Sequence, residues 1–402
     1  MRASLNPNVT ISGTGSYMPP LVVTNDDLSK RVHGYDEAHS GPFGAWVDQV
    51  THIHQRHVSA PETRSHDLAL VAARRALEAA ALEPKDIDFI IYASFTMSQM
   101  IPGDHCVFAQ ELGASSCPVF QLVAACAGSI YGLSLAYAMI TAGMHDNILV
   151  VGSETISKVL NYNDPITSII FGDGAGAAIV SRRSAPTEGG GMLEPKLNFS
   201  YSPRNITLAN SNVPMDVGRF PDRQTQPGVP LVEQALVEME SGPNVLRTAV
   251  TQMAGCTLEA LGYERRALRK GAEGLAETLA DARIIPHQAN GRIIDGLADK
   301  LHVPREHVTR TIYRYGNTSA ASNLVALDFA AREGSMQRVL DDEGLVTEIV
   351  TDADQRIRPG QLVLLPSIGG GYLMGCAGFI AEPSLCEQGQ IPEEHALEGA
   401  HA

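Results

Sequence analysis

Cys126 lies in the run VFQLVAACAGSIYGLSLAYAMITAG, residues 119–143, after an apolar strand-like piece and directly before a helical pattern. A thiol there faces the unpaired N–H groups and positive dipole end of a helix, which favour thiolate over thiol. Its neighbours Ala124, Ala125, Ala127 and Gly128 leave room for a substrate to reach the sulfur. The segment alone is equally compatible with a structural cysteine packed behind small residues. Two possible partners lie far along the chain. DARIIPHQANGRIIDGLADKL, residues 281–301, presents His287 between a strand and a helix, and YGNTSAASNLVALDFA, residues 315–330, presents Asn317 just before another helix. A histidine and an amide that converge on a cysteine can both donate hydrogen bonds to an oxyanion. Taken singly, His287 is also an ordinary loop histidine and Asn317 an ordinary helix cap.

The elements that must position these groups fall into two similar series. Residues 9–183 alternate strand-like runs at 87–94 and 147–152 with an amphipathic stretch at 67–81 and a helical one at 129–142. The second series has helical patterns at 244–261, 271–280, 292–301 and 319–332, with strands at 283–286 and 361–366. FGDGAGAAIVSRR (171–183) and IGGGYLMGCAGFIAEP (368–383) each run from a glycine-rich turn into an apolar strand that closes its half, which points to an internal duplication. The chain therefore divides into 1–183, carrying the cysteine; a loop-rich connection at 184–232; 233–382, carrying the histidine and amide; and a mobile acidic tail at 383–402. A charged insertion at 334–359 contains a strand-like piece at 345–351.

Composition limits what such a chain can do. Its 402 residues, 44% hydrophobic and 19% charged, suit a globular protein with two core-forming units. Thirty basic against 45 acidic side chains leave a charge of −15, which argues against a nucleic-acid surface. The six cysteines lack zinc-site spacing, so reduced thiols in a cytoplasm are expected; no signal sequence or membrane-spanning run is apparent. His52, His54 and His57 in THIHQRH hint at a metal but read better as a non-metal segment. Gly172, Gly174 and Gly176 lead into a strand pattern rather than a helix, so they form no dinucleotide loop. ERRALRK (264–270) reads as a solvated helical face.

AACAG around Cys126, IIFGDGAGAAIV from Ile169, PHQAN at 286–290, GNTSAAS at 316–322 and PGQLVLL at 359–365 occur in the order found in one family. With ISGTGSYMPP near the start, the chain resembles the β-ketoacyl-[acyl-carrier-protein] synthase III family of the thiolase superfamily over most of residues 11–380. The resemblance implies an α/β, five-layer αβαβα thiolase-like fold from two duplicated halves, assembled as a homodimer. It also implies a Cys126, His287, Asn317 triad with an oxyanion hole from the backbone N–H groups of Cys126 and Gly370. The expected chemistry is acylation of Cys126, then decarboxylative condensation with a malonyl-type or β-ketoacyl thioester on a carrier protein. Acyl-coenzyme A or acyl-carrier-protein thioesters are the implied substrates, with no cofactor and no metal.

Trp46 matches the tryptophan that relatives use against coenzyme A, whereas Val50 and Pro165 stand where their arginines align, which favours a carrier-bound donor. Arg247 and Arg292 match basic positions that dock acyl carrier protein, and Ile101 aligns near a position that reaches across the dimer into the partner's acyl pocket. The 184–232 and 335–355 segments suggest a specialised, secondary-metabolite substrate. The other reading of the same acyl-Cys126 is transfer to an alcohol or amine; the retained Asn317 favours condensation.

Overall fold

The computed structural model describes all residues except 100, 184, 186–188, 203–205, 209–236, 240–241, 343–344 and 392–402. Short alternating apolar runs become the strands of a first sheet: β1 (Val9–Tyr17), β2 (Phe89–Ala93), β3 (Val119–Leu122), β4 (Asn147–Glu154) and β5 (Gly174–Arg182). Their order is β1-β5-β4-β2-β3, antiparallel at β1–β5 and β5–β4, then parallel to β2 and β3. The second sheet contains β6 (Gly191–Leu193), β7 (Lys196–Phe199), β8 (Arg283–Ile284), β9 (Leu362–Gly369) and β10 (Leu373–Ile380). Its hairpin β9–β10 repeats β4–β5, and β8 joins β9 in parallel as β2 joins β4. The glycine-rich strands β5 and β10 noted in the sequence thus occupy equivalent places.

Seven helices matter for the site: α1 (Phe43–Thr51), α2 (Ser65–Ala79), α3 (Asp104–Leu112), α4 (Gly128–Thr141), α5 (Gly242–Ala260), α6 (Gly291–Leu301) and α7 (Ser322–Arg332). Helices α4 and α7 lie between the sheets, α2 and α3 cover the outside of the first, and α5 and α6 cover the second, giving five layers. Ile130, Leu133 and Ile140 of α4 and Leu324, Leu327 and Ala331 of α7 share one core with Ile91 and Val150 on one side and Val363 and Phe379 on the other. Every residue of α7 is buried, its polar Asp328 and Arg332 paired with each other, whereas α4 turns Ile130, Leu133, Ala136 and Ile140 into this core and leaves Leu135 exposed on its other side.

Several expectations change in detail. The connection at 184–232 is not all loop: β6 and β7 lie within it and pair with β10, while Leu5–Asn6 pairs with β6, so the second sheet recruits chain from outside 233–382. Residues 209–236 lie outside the described residues. The helix expected at 271–280 is present but shortened to Leu275–Leu279; Gly271 and Gly274, with positive φ of 69° and 78°, separate it from a preceding short helix, Ala267–Lys270. The start of the tail is ordered, with Leu385 in the core beside α7, and residues 392–402 lie outside the described residues. The insertion forms a hairpin, Ser335–Leu340 with Val346–Asp352, held to α1 by Arg338 and Asp48 at 2.8 Å and to Arg314 through the Ile349 carbonyl. Among the described residues no helix is long and apolar enough to cross a membrane.

Candidate active site

Two turns of like geometry face each other at the ends of the central helices. In the first, Ala125 takes a positive φ of 46°, Ala125–Ala127 forms a 3₁₀ turn, and α4 follows. In the second, Ser319 takes φ of 49°, Ser319–Ala321 forms a 3₁₀ turn, and α7 follows. Left-handed backbone at a non-glycine residue is strained and persists where the surrounding structure enforces it. The duplication therefore reaches the site itself, and Ala320 occupies in the second half the place of Cys126 in the first. Gly128 lets the turns close up: a Cβ there would lie 3.0 Å from Ala93 and 3.3 Å from Ala320 Cβ.

The three singled-out residues meet here. Ser319 Oγ donates to Cys126 Sγ at 3.3 Å, and Ser319 N donates to Asn317 Oδ1 at 2.8 Å. Asn317 Nδ2 makes a long 3.5 Å bond to the Ala289 carbonyl, in the turn that begins at His287. His287 N donates to the Pro366 carbonyl at 2.8 Å, and Ser367 Oγ donates to the Cys126 carbonyl at 3.1 Å, so β9 supports both halves of the site. Cys126, His287 and Asn317 are 6%, 1% and 4% exposed. His287 Nδ1 is buried with no hydrogen-bond partner among the described residues.

Burial dominates the electrostatics. It pushes the Cys126 thiol up to about 11, opposed by the Ser319 hydrogen bond and reinforced by the charge of Glu154. The expected preference for thiolate at the helix end is therefore corrected: desolvation outweighs it, and Cys126 rests as a thiol. Burial also lowers His287 from 6.5 to about 3, so its imidazole is neutral. Only the unfolded chain then takes up this proton between those values, and stability is lost as pH falls from about 6.5 toward 3. His287→Gln is expected to make that loss shallower in urea-unfolding midpoints measured at decreasing pH; parallel losses would discount His287 as their source.

Other sequence expectations find places around this centre. The glycine packed on the Cys126 amide is Gly369, where a Cβ would sit 2.8 Å from Cys126 N; Gly370 lies next to it, with its own Cβ position 4.0 Å from Ala125 Cβ. Arg292 is exposed in the first turn of α6, and Arg247 is exposed on α5, which packs against α6. The Asn290 side chain caps α6 and also donates to the Val50 carbonyl of α1 at 3.0 Å, bringing the Arg292 helix end to the Trp46 helix. Trp46 stacks on Tyr35 at 4.7 Å with the rings tilted 35°. Ile101 is 93% exposed on the loop after β2.

The histidines of THIHQRH are engaged structurally: His54 Nε2 is 2.9 Å from Asp48, His57 Nδ1 is 2.6 Å from the Pro19 carbonyl, and His52 is 3.8 Å from Asp295. Sequence reading missed Ser319, Gly369 and the buried Glu154. The first two lay inside motifs already singled out, GNTSAAS and IGGG.

Residues 120–198 match the family described as 3-oxoacyl-[acyl-carrier-protein] synthase III, and residues 278–340 match its C-terminal part. The chain is 34% identical over 367 residues to β-ketoacyl-[acyl-carrier-protein] synthase III of Methylococcus capsulatus, covering 91% of this chain and 97% of that one. The fold is similar to 3-oxoacyl-[acyl-carrier-protein] synthase III of Aquifex aeolicus, with a TM-score of 0.72, 30% identity and coverage of 93% and 100%. It is also similar to the priming β-ketosynthase of the R1128 polyketide pathway, with a TM-score of 0.73, 29% identity and coverage of 95% and 99%.

Proposed function

The chain belongs to the β-ketoacyl-[acyl-carrier-protein] synthase III family and is a ketosynthase III-type condensing enzyme, and we propose that Cys126 carries the acyl group between its two half-reactions. The observation that supports this most is the hydrogen-bonded line from Cys126 through Ser319 to Asn317 and on to the His287 turn. In the first half-reaction the sulfur attacks an acyl thioester, neutral His287 accepts the thiol proton, and the carrier thiolate leaves and regains a proton. The developing oxyanion accepts from the Cys126 and Gly370 backbone N–H groups.

In the second half-reaction a malonyl-type thioester loses CO₂ while His287 and Asn317 donate to its carbonyl oxygen. The enolate carbon attacks the acyl-Cys126 carbonyl; the carbon–carbon bond forms, the carbon–sulfur bond breaks, and the departing Cys126 thiolate takes up a proton from solvent to restore the thiol. The long bond of Asn317 to Ala289 leaves its amide free to turn toward such an oxygen. No step uses a cofactor or metal.

An acyl carrier protein is the proposed donor and acceptor carrier. Arg247 and Arg292 on neighbouring helices supply positive charge on an otherwise acidic chain, while Tyr35 already occupies one side of Trp46. All six cysteines are free, which fits a reducing cytoplasm. A homodimer is proposed about the open edge of the first sheet at β3, beside the exposed Val123 and Ile101. Ile101→Asp is expected to shift the protein toward monomer in sedimentation velocity; an unchanged dimer would remove Ile101 from the interface.

The nucleophile assignment is tested by intact-protein mass spectrometry with a panel of acyl-coenzyme A and acyl-carrier thioesters, followed by peptide mapping. One acyl mass on the Cys126 peptide, discharged with CO₂ release when malonyl thioester is added, is the expected result. An acyl group mapped elsewhere would overturn the assignment, and discharge only by alcohols or amines would overturn the proposed second half-reaction.

A further inference from the structure

Glu154 ends β4 and is wholly buried, yet among the described residues no Lys or Arg forms an ion pair with it. Its carboxylate accepts from Thr96 Oγ1 at 2.5 Å, Thr96 N at 3.1 Å, Ser94 Oγ at 3.3 Å and Phe95 N at 3.3 Å. A buried carboxylate with only neutral donors is unusual, because desolvation disfavours its charge and nothing of opposite sign compensates. No step of the proposed condensation uses it.

Its position relates it to the nucleophile. Side chains two apart on a strand share a face, and Gly152, two residues before Glu154, is the position where a Cβ would lie 2.3 Å from the Ala320 carbonyl oxygen. Glu154 therefore sits on the face of β4 that backs onto the Ser319–Ala321 turn. The segment it holds, Ser94–Thr96, continues directly from Ala93, against which Gly128 of the Cys126 turn packs. We propose that Glu154 is a positioning residue for the nucleophile: it fixes the Ser94–Thr96 strand end beside the Cys126 turn and, through its charge state, sets how readily the Cys126 thiol loses its proton.

The titratable groups around it are few. Tyr92 of β2 feels the Glu154 charge from the opposite face of the sheet, where its hydroxyl is bonded to Ser65, and burial raises that phenol, so it stays neutral. Asp104 shares the Tyr92 neighbourhood but is occupied by Ser98 and Ser65. Asp173, beside the strand partner Gly174, is occupied by Ser59 and Ser157. Cys126 is the remaining neighbour, and the negative charge of Glu154 raises its thiol further beyond the effect of burial. Burial lifts Glu154 itself to about 8, against the pull of its Thr96, Phe95 and Ser94 donors, so its charge appears within an accessible pH range.

This inference deepens the reading of Cys126 as the nucleophile but is tested without any thioester. The experiment measures the rate of iodoacetamide alkylation mapped to the Cys126 peptide, as a function of pH, in wild type, Glu154→Gln and Thr96→Val. Below about pH 8 Glu154 is neutral, and wild type and the glutamine variant should run together. Above it, the wild-type curve should bend downward as the carboxylate ionises, leaving the glutamine variant about three- to tenfold faster near pH 9 to 10. Thr96→Val removes a donor to the carboxylate, so its bend should move to higher pH. Parallel curves for wild type and Glu154→Gln would overturn the proposal. Should the glutamine variant fail to fold, an unmoved bend in Thr96→Val would overturn it equally. Acylation of a residue other than Cys126 in the mass experiment would instead defeat the nucleophile assignment, which keeps the two failures distinguishable.

Discussion

Cys126→Ala is expected to carry no acyl group and to form no condensation product, whereas His287→Ala is expected to keep slow acylation while losing about 10²- to 10⁴-fold in condensation. The asymmetry follows from what each side chain does. Removing the sulfur removes the covalent intermediate, and Ala125, Ala127 and Ser319 offer no replacement of comparable nucleophilicity. Removing the imidazole leaves the sulfur and its backbone donors in place, but the enolate of the second half-reaction loses one of two donors. A single-turnover experiment separates the steps: acyl mass gain reports the first, and CO₂ release from malonyl thioester the second. Equal loss of both in His287→Ala would place its main contribution in activating the thiol instead. Acyl mass persisting in Cys126→Ala would move the nucleophile elsewhere.

Asp328→Ala is expected to destabilise the fold by about 3–5 kcal/mol, the range for removing one partner of a buried ion pair. Asp328 and Arg332 lie one turn apart on α7, both buried, with Nε donating to the carboxylate at 2.7 Å. The same carboxylate accepts from Thr14 and Ser16 of β1 at 2.9 and 2.6 Å, and Arg332 donates to the Thr14 and Gly389 carbonyls. This cluster ties the central helix of the second half to the edge strand of the first. Without the carboxylate, a buried guanidinium and two hydroxyls lose their charged partner. Urea denaturation provides the measurement; a loss below about 1 kcal/mol would mean that the carbonyls and water satisfy Arg332 unaided.

Much of this architecture is local enough to be read along the chain. Alternating and helical periodicities placed β2, β4, α2, α4, α6 and α7 within a few residues, and the paired runs ending in β5 and β10 exposed the duplication. Small residues around Cys126, and His287 and Asn317 before helices, marked three candidate positions because turn and cap chemistry is carried by the residues themselves. The helix expected over 271–280 begins only at Leu275, because Gly271 and Gly274 take positive φ ahead of it.

What only the tertiary structure decided concerns groups distant in sequence and the water removed around them. No spacing along the chain could show that Ser319 bridges Cys126 and Asn317, that Gly369 packs on the Cys126 amide, or that β6 and β7 complete the second sheet. The electrostatic expectation changed for the same reason. A helix terminus is visible in sequence, but the desolvation that keeps Cys126 a thiol, leaves His287 neutral and makes Glu154 a weak acid depends on five layers closing over them. Residue identity and local turn chemistry determined which atoms could react. Burial, set by long-range packing, decided in which protonation states they wait.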